Sequence, residues 1–177
     1  MYFRHTLAIL ATLGFSVLTA CGGPADDTAT ETPATAEAPA PEPTTVDAGY
    51  DPAADPIVDL AAAIEVTAQN GNRILLEVGS NSLVWCQRLA AFFEAHPDLR
   101  EFRDQHYAVV KVNRSDENQN TEFLKGYPGI AGYPHIFVLD SDGSLLHSQD
   151  TTELESEDGY DPAKVREFLQ IFTLRAL

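Results

Sequence analysis

The chain has 177 residues, room for one ordinary domain with additional segments. Its 11 Lys and Arg stand against 27 Asp and Glu, a formal net charge of −16. A chain this acidic repels phosphate backbones, which excludes nucleic acid as a partner and assigns the acidity to a solvated surface.

Met1 to His5 carry Arg4, and Thr6 to Ala20 follow as an apolar run too short to cross a bilayer comfortably. Charge, apolar run and small residues in that order predict a secretory signal over residues 1–20. Leu18-Thr19-Ala20-Cys21 resembles the bacterial lipobox, which implies that Cys21 is lipidated and becomes the mature N-terminus. Several acyl chains would anchor the chain stably in a membrane where one would not. The expected location is therefore the bacterial cell envelope, facing the periplasm. Gly22 follows Cys21 where an inner-membrane retention signal would carry aspartate, so the outer membrane is favoured in a Gram-negative host.

Residues 21–54 are rich in Ala, Pro and Thr, dotted with Asp and Glu, and devoid of Lys and Arg. They have almost nothing to bury and read as a disordered acidic linker, its ends roughly 30 Å apart as a flexible coil. The pentapeptide Gly-Tyr-Asp-Pro-Ala occurs at 49–53 and again at 159–163. Asp as N-cap with Pro at the first helical position predicts a helix start at each.

Residues 55–177 form the expected domain. Asp55-Pro56 is a further helix start, and residues 57–69 carry apolar side chains at helical spacing. Residues 73–78 read as a buried strand and 84–95 as a helix closed by His96-Pro97. A helical turn or two covers 98–105, a strand 107–112, and a short helix 118–125. Strands at 135–139 and 144–148 flank the turn Asp140-Ser141-Asp142-Gly143. An acidic loop at 150–158 precedes a final helix over 162–174. Strands separated by helices require a parallel pair, and the hairpin is antiparallel. The expected fold is α/β, a central mixed sheet of about four strands flanked by helices.

Trp85-Cys86 lies just after the first strand, and Gly132-Tyr133-Pro134 just before the hairpin. This order, with a cysteine at the first strand-to-helix turn, resembles the thioredoxin superfamily from about Ile57 to Phe172. The resemblance implies a three-layer fold and a Cys-x-x-Cys turn opening a helix. The first cysteine of that turn is an exposed nucleophile, lowered in pKa by the helix N-terminus, and the second is a buried resolving thiol. It also implies a cis proline, here Pro134, in a groove that pairs with substrate backbone, and a buried acid, here Glu77, that assists proton transfer.

Two registers fit. Without gaps, Leu83 takes the nucleophile position and Cys86 the resolving position. A turn three residues longer would instead read Trp85-Cys86 as the Trp-Cys pair, with Leu89 replacing the second cysteine. The gapless register is preferred, because added loop residues need their own reason. Either way one cysteine is missing. With Cys21 lipidated, Cys86 is the one free thiol, and an intramolecular dithiol cycle is impossible.

The expected function is thus peptide or protein binding at the groove of Trp85, Tyr133 and Pro134, with an accessory role in envelope thiol or protein homeostasis. The alternative is a monothiol oxidoreductase or isomerase using Cys86. Each residue also has an ordinary role. Cys86 would be a small inert core side chain, Glu77 a solvent-facing strand residue, Trp85 a packing aromatic, and Pro134 a trans turn proline. His135 could approach Cys86, although a strand histidine more often meets a backbone or water partner. Arg88 could assist the thiol or point away. No cofactor is expected. The five histidines show no metal-ligand spacing, and Asp140-x-Asp142-Gly143 lacks the later ligands of a calcium loop.

Overall fold

The computed structural model describes residues 49–173. The expected signal, Cys21 and most of the linker lie outside the described residues. Helix α1 spans Pro56–Asn70, with the Asp55 side chain accepting from Ile57 N at 2.9 Å and Gly71 closing it in the left-handed region at φ 77°. Strand β1 is Arg73–Gly79, α2 is Val84–Ala95, α3 is Pro97–His106 and β2 is Tyr107–Asn113. Then come α4, Thr121–Leu124, strands β3, His135–Leu139, and β4, Leu145–Asp150, and α5, Pro162–Ile171.

Among the described residues the strands form one sheet in the order β2-β1-β3-β4. β1 pairs with β2 in parallel, while β3 is antiparallel to both β1 and β4. Side chains alternate across each strand, which divides the core into two layers. Ile74, Leu76, Val78, Phe137 and Leu139 pack with Ala63 of α1 on one face. Leu75, Ile136 and Val138 pack on the other with Leu89 and Phe92 of α2, Leu99 of α3, and Val165 and Phe168 of α5. The expected mixed sheet covered on both faces is what the chain adopts.

Four local details differ from expectation. The first Gly-Tyr-Asp-Pro-Ala makes a turn rather than a helix start: Asp51 Oδ1 accepts from Ala53 N at 2.8 Å, and α1 begins only at Pro56. The second copy does open a helix, Asp161 Oδ1 accepting from Ala163 N at 2.7 Å. Residues 49–54, assigned to the linker by composition, are described and packed, with Tyr50 only 3% exposed. Helix α4 is shorter than 118–125, because Asn120 sits in the left-handed region at φ 46° and Asn118 Oδ1 caps the Asn120 amide at 3.1 Å. Asparagine side chains compete in this way with helical bonding. Part of the acidic loop, Thr151–Leu154, is a 3-10 turn capped by Asp150.

Candidate functional site

β1 delivers its last residues, Val78 and Gly79, to a tight turn. The Leu83 amide donates to Ser80 O at 3.3 Å, and the Ser80 and Ser82 hydroxyls lie 3.0 Å apart. α2 starts at Val84 with Leu83 as N-cap, and the Gln87 amide donates to Leu83 O at 3.1 Å. Leucine offers the free helix N–H groups no acceptor, which makes it one of the least favoured N-cap residues. Leu83 is half-buried and Val84 is 57% exposed. Cys86 and Leu89, each a further turn inward, are 3% and 2% exposed. The gapless register thus puts an accessible position before a buried one. The longer-turn register would put both of its positions in the core.

Pro134 is buried and preceded by a cis peptide bond. His135 pairs with Val78 across the sheet, so Pro134 stands at the sheet end from which the Leu83 turn emerges. The Pro134 carbonyl accepts from the Thr151 hydroxyl at 2.5 Å. Tyr133, the residue before it, and Ile130 are half-buried and pack on the α1-side core.

Beneath the turn lies a buried polar group. Glu77 is 5% exposed, so the solvent-facing alternative does not hold. Glu77 pairs with Lys111 in the β1/β2 register, and the Lys111 Nζ is 3.9 Å from its Oε1. The Tyr50 hydroxyl donates to the same Oε1 at 2.5 Å. Lys111 Nζ also lies 5.3 Å from the centre of the Tyr50 ring. Glycine is required at 79: a Cβ there would stand 2.5 Å from Cys86 Sγ and 2.7 Å from the Tyr50 hydroxyl oxygen. Thiol and phenol therefore converge on the space that Gly79 leaves open.

These surroundings set the chemistry of Cys86. Burial pushes its thiol up, and the Glu77 charge adds to the rise. Hydrogen bonds from the Ser80 backbone and the Tyr50 hydroxyl, with the Lys111 charge, pull it down but do not prevail. The reactive form of cysteine is the thiolate, so a raised pKa leaves less of it at neutral pH than a free cysteine has. Burial, Glu77 and Cys86 together hold the Tyr50 hydroxyl well above its ordinary range, so it stays a donor.

The remaining residues have structural partners. Trp85 meets Tyr160 edge to face, the centroids 5.8 Å apart, and Arg88 lies over its ring at 4.4 Å. Arg88 is engaged with Trp85, and Lys111 is the cation acting on the thiol. His135 shares a sheet face with Val78 and Phe137, opposite that of Glu77 and Ile136. Its Nε2 lies 2.9 Å from the Ser148 hydroxyl, and burial lowers its pKa. A Cys86/His135 pair therefore does not form. Asp140 and Asp142 are occupied in the hairpin turn, where Asp142 Oδ1 accepts from Ser144 N at 2.9 Å. Among the described residues no His, Cys, Asp and Glu group could hold a metal ion. Nor is any described helix long and apolar enough to cross a membrane.

The family model described as thioredoxin-like matches residues 55–141. A disulphide isomerase from Xylella fastidiosa Temecula1 superposes with a TM-score of 0.58 at 22% identity, over 71% of this chain and 96% of that one. The oxidised C-terminal domain of DsbD from Neisseria meningitidis gives 0.51 at 20% identity, over 71% and 97%. The described domain has a thioredoxin-like fold. No curated protein matches the sequence. At these identities the likeness to solved structures speaks to the fold, and the site must be read from its own residues.

Two participants in the thioredoxin-like site were not foreseen. Tyr50 stands as the one aromatic residue in an otherwise aromatic-free linker, and that isolation was its signal. Lys111 is the lone charge in the apolar strand Tyr-Ala-Val-Val-Lys-Val, a pattern that points to a buried partner.

Proposed function

We propose that this chain is an envelope lipoprotein, anchored through lipidated Cys21 and facing the periplasm. Its thioredoxin-like domain binds an extended peptide or protein segment beside Pro134 and does not carry out dithiol–disulfide exchange. The observation that carries this reading is the N-cap of α2. The accessible position three residues before Cys86 holds leucine, an apolar side chain that neither attacks a disulfide nor caps the helix. The exchange cycle needs two thiols in reach of one another, and Cys86 is the one cysteine among the described residues. A monothiol oxidoreductase using Cys86 is disfavoured by the burial and raised pKa of that thiol.

The groove reading rests on exposed Val84, half-buried Leu83 and Tyr133, and Pro134 at one end of the sheet. A permanently unfolded, cysteine-free polypeptide is expected to perturb the NMR signals of Leu83, Val84 and Tyr133. Val84→Asp and Tyr133→Ala are each expected to weaken its binding by about fivefold or more. Perturbations confined to another face would contradict the reading.

A further inference from the structure

The segment just before α1 makes contacts that an ordinary linker end does not need. The Asn81 side-chain amide takes both backbone groups of Tyr50: Tyr50 N donates to Asn81 Oδ1, and Asn81 Nδ2 to Tyr50 O, each at 2.8 Å. Gly49 fits against the same side chain, since a Cβ there would lie 2.5 Å from Asn81 Oδ1. Asn118 Nδ2 donates to Pro52 O at 2.9 Å. The Asp51 carboxylate and carbonyl hold the intervening turn. The Tyr50 side chain passes into the space beside Gly79, where it meets Cys86 and Glu77.

The manner of attachment matters as much as the place. Residues 49–54 belong to no helix or strand, and Tyr50 belongs to neither apolar cluster of the core. The segment is held by side-chain hydrogen bonds and one ring. A segment with few buried apolar contacts opens locally, at a cost well below that of unfolding the domain. Three devices converge on its seat: Asn81 in the turn that carries the site, Gly79 without a side chain, and the Glu77 carboxylate as acceptor.

We propose that residues 49–54 are a lid that seals Cys86 and Glu77 beneath Tyr50, and that lifting it uncovers the thiol without unfolding the domain. The lid is continuous with the linker, so a pull on the N-terminal segment or a competitor for Asn81 would open it. Cys86 is dormant while the lid is closed and accessible when it is open. This inference is separate from peptide binding at Pro134 and stands or falls without it.

The test uses the full chain with Cys21→Ser, leaving Cys86 as the sole thiol, and follows its alkylation by iodoacetamide at neutral pH without denaturant. The parent should label far more slowly than a free cysteine. Asn81→Ala should speed labelling about tenfold or more, as expected for losing the two bonds that clamp Tyr50. Tyr50→Ala should do so at least as strongly, and added p-cresol, filling the vacated seat, should slow that variant again. Ile74→Val, a core change at the far end of β1 and on the other face of the sheet, serves as the control and should leave the rate within about twofold. The lid is overturned if the parent labels like a free thiol, or if Asn81→Ala leaves the rate unchanged. It is equally overturned if Ile74→Val speeds labelling as much as Asn81→Ala, since exposure would then come from global unfolding.

Discussion

Leu83→Cys should give the domain a redox-active pair. Leu83 occupies the N-cap position of α2 and Cys86 is the third residue of that helix, so the two positions stand one turn apart. Residues three apart on a helix face one another at a separation that a disulfide can bridge. The new thiol would sit on the helix N-terminus, where free N–H groups and the helix dipole favour a thiolate. Cys86, at 3% exposed, would be the inner partner that closes the bond. In a Cys21→Ser background, mild oxidation should consume both thiols of the variant. Its rate of disulfide reduction should exceed that of the parent by about tenfold or more. Two thiols that stay free under oxidant would remove the support for Leu83 as the vacated position.

Removing the Glu77 carboxylate should destabilise the domain heavily. Its Oε1 accepts the Tyr50 hydroxyl at 2.5 Å and lies 3.9 Å from the Lys111 ammonium, all in an environment almost closed to water. Glu77→Ala leaves the Tyr50 hydroxyl without that acceptor and takes the carboxylate from Lys111. Such losses cost about 2–4 kcal/mol, well above the ~1 kcal/mol of an exposed ion pair. Glu77→Gln keeps an acceptor for Tyr50 and should cost less. Urea unfolding measures both. With Tyr50→Phe it closes a double-mutant cycle in which about 1–2 kcal/mol of coupling is expected. A Glu77→Ala loss below about 0.5 kcal/mol would mean that the carboxylate is solvated and the buried group does not exist as described.

The parts of this protein set by local periodicity were legible in the sequence. β1, α2 and β3 fall where apolar spacing puts them, and so does the Asp-Gly turn of the hairpin. Pro134 was identified through the family resemblance, and its peptide bond is cis. The site was legible only in part, because its remaining members are joined by tertiary contacts. Lys111 meets Glu77 through the β1/β2 register, which no local pattern specifies. Tyr50 belongs to a stretch whose composition reads as disordered, yet one aromatic residue and two asparagine side chains, Asn81 and Asn118, fasten it. The repeated pentapeptide misled in the same way. Identical residues open a helix at Asp161, where Val165 and Phe168 follow to be buried, but only a turn at Asp51. His135 follows Pro134 in sequence and could have approached Cys86, but strand alternation sends it to the other face, where it meets the Ser148 hydroxyl.

We propose that a lone, buried thiol behind Leu83 does not support dithiol exchange. Insulin reduction with dithiothreitol as electron donor tests it most directly, using the full chain beside its Cys86→Ser variant. Both should precipitate insulin no faster than dithiothreitol alone. Acceleration by the parent that disappears in Cys86→Ser would contradict it.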